Sequence, residues 1–182
     1  DGTAYSATLV GTDASNDIAV LKVDAKGLTP AVLGDSSKLA VGDAVLAIGN
    51  PLGTLSGTVT DGIISALERE VTIDGNTMTL LQTSAAVNPG NSGGGLFNAS
   101  GELVGIVNAK SSSDSSGNAV DNIGFAIPIN SVKPIIEDLI SHGYVTGKIV
   151  LGVTLVDITD ERTAHYYGLE HTGVYLQSVQ SG

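Results

Sequence analysis

Cysteine and tryptophan are both absent from this chain of 182 residues, and only 8 lysines and arginines stand against 19 acidic residues. Without cysteine there is no disulfide scaffold, no thiolate zinc site and no cysteine nucleophile. A formal net charge of −11 argues against a nucleic-acid partner, because neutralising phosphates takes clustered lysine and arginine. No apolar run reaches the roughly 18 residues of a membrane-spanning helix, and the N-terminus carries no signal-peptide pattern. Charged residues are also scarce, at 15%, whereas hydrophobic residues make up 42%, which excludes a disordered chain. The length suits one domain, or one and a fraction, with a substantial core.

What is present speaks mostly of β-structure. Short runs rich in valine and isoleucine, such as Ile18–Val23, Ala44–Ile48, Leu103–Val107 and Gly124–Ile127, are separated by clusters of Gly, Asn, Asp and Ser. Many short strands with frequent turn signals predict an antiparallel sandwich or barrel. Asp74-Gly75 and Ser100-Gly101 read as hairpin turns. One helix is expected near residue 131, because Val132, Ile135, Ile136, Leu139 and Ile140 form a single apolar face. Asn130 or Ser131 would cap its start, Pro134 would lie in its first turn, and Gly143 would end it. The serine-rich stretch Ser111–Gly117 reads as a solvated loop.

The densest chemical signal is Asn88-Pro89-Gly90-Asn91-Ser92-Gly93-Gly94. A serine becomes a nucleophile when a base takes its proton and donors hold the oxyanion. Small glycines before Ser92 would let backbone N–H groups of Gly90 and Ser92 point into one concavity. A phosphate cradle is a poorer reading, since no Lys-Ser or Lys-Thr follows the glycines. The second signal is Asp17, at the mouth of an apolar strand and 75 residues before Ser92. Taken by itself it reads as a solvated turn residue. Its place ahead of the serine fits the His-Asp-Ser order of chymotrypsin-like triads.

These segments together resemble the HtrA (Deg) family of trypsin-like serine proteases with PDZ domains. Asp17-Ile18-Ala19-Val20-Leu21-Lys22-Val23 resembles the strand that carries the triad aspartate, and Gly49-Asn50-Pro51-Leu52-Gly53 a glycine-proline turn of the family. Gln82–Gly94 resembles the nucleophile segment, and Asn122–Pro128 the strand beside the specificity pocket.

The resemblance implies a mainly β fold with a chymotrypsin-like antiparallel barrel. Residues 1–28 would be the last strands of a first barrel, 29–130 a second barrel, 131–147 a linker helix and 148–182 the start of a PDZ domain. Ser92 would be the nucleophile, and Asp17 would orient the triad histidine. Gly90 and Ser92 would form the oxyanion hole, with Asn91 as a third candidate donor. Val107, Asn108 and Ala109 would line an edge that pairs with substrate as an added strand. Ala86, Val87 and Asn88, with Gly124, Phe125 and Ala126, would form the specificity pocket. No acid lies between Ala86 and Asn91 to pair with a substrate Arg or Lys, so cleavage after small or medium aliphatic residues is expected. Val150, Leu151, Gly152 and Val153 would be the PDZ loop that holds a peptide carboxylate.

The implied partners are unfolded polypeptide substrates and, through a complete PDZ domain, C-terminal peptides. The family further implies a homotrimer or higher assembly, a bacterial cell-envelope location, and neither metal nor organic cofactor. One element departs from the pattern. The chain's histidines, His142, His165 and His171, all follow Ser92, and none precedes Asp17. Residues 1–182 are therefore expected to be a piece of a longer protease, a piece that lacks the triad histidine and is inactive alone. The rival readings are a catalytically dead module that binds peptides and a purely structural β domain.

Overall fold

Alternation along the short strands sorts side chains onto the two faces of one barrel. In the computed structural model, which describes residues 3–50, 57–73, 76–88, 90–108, 123–147 and 152–179, the first strands are β1 (Ala7–Asp13) and β2 (Ile18–Val23). They pair antiparallel as a two-stranded sheet. β3 (Ala44–Gly49), β4 (Thr58–Ile73), β5 (Asn76–Thr83), β6 (Gly95–Asn98), β7 (Leu103–Asn108) and β8 (Gly124–Pro128) follow. They close into a barrel in the order β3-β4-β5-β8-β7-β6, with every neighbouring pair antiparallel. Asp74 and Gly75 lie outside the described residues, but Ile73 pairs with Asn76 across the expected hairpin. Ser111–Gly117 also falls outside them.

Two apolar clusters result. One holds Val45, Ile64, Leu81, Leu96, Val104, Val107 and Ala126, drawn from all six barrel strands. The other joins Leu80, Phe125 and Ile127 to Ile18 of the β1–β2 hairpin and to the longest helix among the described residues, α1 (Ile129–His142). A side chain of this size contributes roughly 1.5–3 kcal/mol on full burial, so the second cluster fixes the hairpin against the barrel. Gly11 sharpens that docking: a Cβ there would lie 2.5 Å from the carbonyl oxygen of Gly143 at the end of α1.

The helix differs from its expected form in three respects. It begins at Ile129, without a side-chain cap of its own, because Ser36 supplies one from a distant turn: the Asn130 N–H donates to Ser36 Oγ at 3.2 Å. Asn130 instead donates its side-chain N–H to Asp35 Oδ1 at 2.7 Å and accepts the Ser36 N–H at 3.3 Å. With the earlier start, Pro134 sits inside the helix and not in its first turn. Ile129, Val132, Ile135 and Leu139 are buried, but Ile140 is 63% exposed, so the apolar face is narrower than its spacing suggests. α1 packs on β1, β2, β7 and β8 within a unit that spans Asp1–Val145.

The second unit spans Thr146–Gly182. It contains β9 (Val153–Ile158), α2 (Glu161–Tyr166) and β10 (Gly173–Val179), with β9 and β10 antiparallel. Asp160 caps α2 by accepting the Thr163 N–H at 2.9 Å and the Thr163 hydroxyl at 2.6 Å. Those bonds favour the carboxylate and hold Asp160 below the usual carboxylate range. Of the expected carboxylate-binding loop, Gly152 and Val153 are described; Val150 and Leu151 lie outside the described residues.

Candidate active site

The turn between β1 and β2 sets the position of Asp17. Asp13 is buried and accepts bonds from the Ser15 N–H (3.2 Å), the Ser15 hydroxyl (2.7 Å) and the Asn16 amide (2.7 Å). This closed turn puts Asp17 in the left-handed region, at φ 54°, a conformation that aspartate tolerates better than most residues. Ile18, the next residue, is buried in the cluster under α1, so Asp17 is held at a fixed edge although its own side chain is exposed. The Asn108 side-chain N–H donates to Asp17 Oδ2 at 3.1 Å.

Ser92 lies on a tight turn between β5 and β6. Gly90 has φ 103°, which only glycine adopts without strain. The Gly90 carbonyl accepts the Asn50 N–H at 3.1 Å, while the Gly93 N–H donates to the Val107 carbonyl at 2.9 Å. The turn is thus bonded to the end of β3 on one side and to β7 on the other, and Ser92 is exposed between them.

Asp17 and Ser92 line one concavity of about 400 Å³, together with Asn108 and an aliphatic wall of Ile18, Ile106, Ile127, Val132 and Ile136. Asp17 is the one charged residue of that lining among the described residues, and none of the three histidines belongs to it. All three histidine side chains are exposed, and His142 lies at the end of α1 with Nδ1 3.8 Å from Asp138 Oδ1.

Three expected roles change. The Asn91 N–H donates to the Asn88 carbonyl at 2.9 Å, so it is not a third oxyanion donor. Val107 is not on a free edge: β7 is paired with β6 and β8, and the Val107 N–H is given to the Gly94 carbonyl at 2.8 Å. Asn108, the last residue of β7, pairs with Phe125 and turns its side chain to Asp17; Ala109 lies outside the described residues. Phe125 is buried in the cluster under α1, on the face of β8 opposite Ala126. Gly124 does face the expected pocket segment, since a Cβ there would lie 2.6 Å from Val87 Cγ2. Ala86 and Asn88 are exposed beside it.

Asn108 as the partner of Asp17 escaped the sequence reading, which placed it on a substrate edge. The available signal was an amide ending the apolar run Leu103–Val107, which needs a buried hydrogen-bond partner.

Comparison with known proteins agrees with this geometry. A family model described as a trypsin-like peptidase domain matches residues 1–106, a span that includes both Asp17 and Ser92. Serine protease Do-like HtrB of Bacillus subtilis is 44% identical over all of this chain and 41% of its own length. A probable periplasmic serine endoprotease DegP-like protein of Rickettsia conorii is 46% identical over 99% of this chain and 35% of its own length. Among solved structures, the HtrA-type protease AlgW with a decapeptide superposes with TM-score 0.71 at 42% identity, over 96% of this chain and 52% of that one. The chain thus spans about two fifths of the two relatives. With its barrel, its Ser92 turn and Asp17 in the matching order, the chain belongs to the trypsin-like peptidase family.

Proposed function

We propose that this chain is part of a serine endopeptidase of HtrA type that acts on unfolded polypeptides and cleaves after small or medium aliphatic residues. The observation that carries the reading is the shared concavity of Asp17 and Ser92, brought together from 75 residues apart. Ser92 attacks the scissile carbonyl and passes its proton to a histidine supplied from outside residues 1–182. Asp17, held by Asn108, fixes the tautomer of that imidazole and stabilises its protonated form. The N–H groups of Gly90 and Ser92 receive the oxyanion. The close approach of the small residue Gly124 to Val87 supports a shallow, uncharged specificity pocket. The decapeptide bound to AlgW supports peptide substrates here, and the periplasmic DegP-like relative supports an envelope location. Among the described residues, no helix is long and apolar enough to cross a membrane. Trimeric assembly and capture of C-terminal peptides by a PDZ domain complete the proposal for the intact protein.

The test is labelling of the intact protein with a fluorophosphonate probe. Modification is expected at Ser92, to vanish in Ser92→Ala and to be lacking in residues 1–182 expressed alone. Casein hydrolysis by the isolated chain would overturn the assignment of the base. A peptide library giving strong preference for Arg or Lys would overturn the pocket.

A further inference from the structure

The residue before the nucleophile is fully buried while the nucleophile itself is exposed. Asn91 makes three tethers within its own loop. Its N–H donates to the Asn88 carbonyl at 2.9 Å, its carbonyl accepts the Gly94 N–H at 2.8 Å, and its side-chain N–H donates to the Ala86 carbonyl at 3.2 Å. One side chain therefore spans from the specificity segment to the base of the Ser92 turn. The Ala86 carbonyl also accepts the Thr60 hydroxyl of β4 at 2.8 Å.

We propose that Asn91 is a positioning residue that couples the specificity wall at Ala86 to Ser92, and that the coupling requires an amide and not a carboxylate. The inference rests on the serine-protease reading of Ser92. The chemistry of the surroundings selects the amide. The side-chain oxygen, Oδ1, has no hydrogen-bond partner among the described residues, and the side-chain nitrogen meets an acceptor. A carboxylate would put a charged oxygen against the Ala86 carbonyl, with no cation among the partners of this side chain. Nor can the side chain turn away. It lies against the end of β3, where a Cβ on Gly49 would fall 2.5 Å from Oδ1 and 2.7 Å from the Asn91 Cα. A substrate side chain that presses on Ala86 and Val87 then acts through Asn91 on the turn that holds Ser92 and Gly90. Its occupancy is felt in turnover more than in binding.

The experiment uses the intact protein and follows hydrolysis of matched peptides from pH 8 to pH 5.5, with the folded fraction measured at each pH by circular dichroism. Asn91→Asp is expected to lower kcat per folded molecule by about 100-fold at pH 8, the scale of losing one oxyanion donor. The ratio of variant to wild type should rise as pH falls, because a protonated carboxyl regains a donor for Ala86. Thr60→Val leaves Asn91 in place and loosens the same carbonyl. It is expected to lower kcat severalfold for peptides with an aliphatic P1 residue and to leave peptides with P1 glycine unchanged. A ratio that stays flat with pH, or full activity in folded Asn91→Asp, overturns the proposal. If Asn91→Asp does not fold, Thr60→Val decides, and equal effects on both peptide classes overturn it. Wild-type protein that fluorophosphonate fails to label at Ser92 would instead sink the protease reading.

Discussion

Asn108, buried at the end of β7, donates a hydrogen bond of 3.1 Å to Oδ2 of Asp17, a residue 91 positions earlier in the chain. Asp17 is exposed on its turn, and Asn108 approaches it from the barrel. The orientation of the acid is therefore set by the barrel strand as well as by its own hairpin.

Removing that donor should be felt in turnover. In the intact protein, Asn108→Ala is expected to reduce kcat by about 10-fold, corresponding to one hydrogen bond of roughly 1.4 kcal/mol to a charged group, with KM little changed. Asn108→Asp is expected to be worse, because a second carboxylate would face Asp17 and repel it. Steady-state kinetics on a matched peptide measures both. An activity in Asn108→Asp equal to that of Asn108→Ala would show that the charge at this position does not reach Asp17.

The sequence carried the strand content, the Ser92 turn and the order of Asp17 and Ser92, because each is a local pattern. It did not carry the facing of β8. Gly124, Phe125, Ala126 and Ile127 are all buried, so no polar residue marks which face is inside. Two buried faces erase the alternation that identifies a strand's interior, so the packing of Phe125 under α1 left no local signature. The start of α1 was hidden for another reason. Its cap is Ser36, 94 residues away, and local capping rules cannot see a hydroxyl supplied by another turn. Val107 was assigned to an open edge because nothing within β7 announces that β6 covers it.

The pocket prediction follows from Gly124 facing Val87. Val87→Ala removes two methyl groups beside Gly124 and is expected to move preference toward larger aliphatic P1 residues. One or two methylenes of pocket space shift selectivity by about 10–200-fold. Gly124→Ala would instead drive a methyl into Val87 and restrict cleavage to the smallest side chains. Profiling both variants with a P1-varied peptide set checks the sign of each shift. Unchanged profiles would place the pocket elsewhere.

Acid should loosen the attachment of α1. Asp35 accepts the Ser37 hydroxyl at 2.6 Å, the Asn130 side-chain N–H at 2.7 Å and the Ser37 N–H at 3.1 Å, and these bonds push its carboxyl well below the usual carboxylate range. A lowered folded-state pKa means that the unfolded chain binds the proton more readily. The stabilisation is therefore fully present above the ordinary carboxylate pKa and is lost as pH falls toward the folded value. Asp35→Asn is expected to melt below wild type at pH 7, with the gap narrowing progressively under acid. Thermal melts at several pH values measure it. A gap that widens as pH falls would contradict the hydrogen-bond assignment.

Gly11 offers a test of whether the hairpin must be docked for the site to exist. In Gly11→Ala the added methyl would meet the Gly143 carbonyl oxygen at 2.5 Å and Leu139 Cδ2 at 3.0 Å. The first of these is backbone at the end of α1, so the strand must move and not merely a side chain. Overpacking of this kind costs about 1–3 kcal/mol. Displacement of β1 should carry Asp17 with it, since the same hairpin bears both residues, and should take the carboxylate out of reach of Asn108. The expected outcome is a lower melting temperature together with slowed fluorophosphonate labelling of Ser92 at temperatures where the variant is still fully folded. Thr12→Ala, at an exposed neighbour on the same strand, serves as the control and should label at the wild-type rate. If Gly11→Ala melts early yet labels at the wild-type rate while folded, the docking of the hairpin contributes stability alone, and the placement of Asp17 depends on Asn108 and the turn.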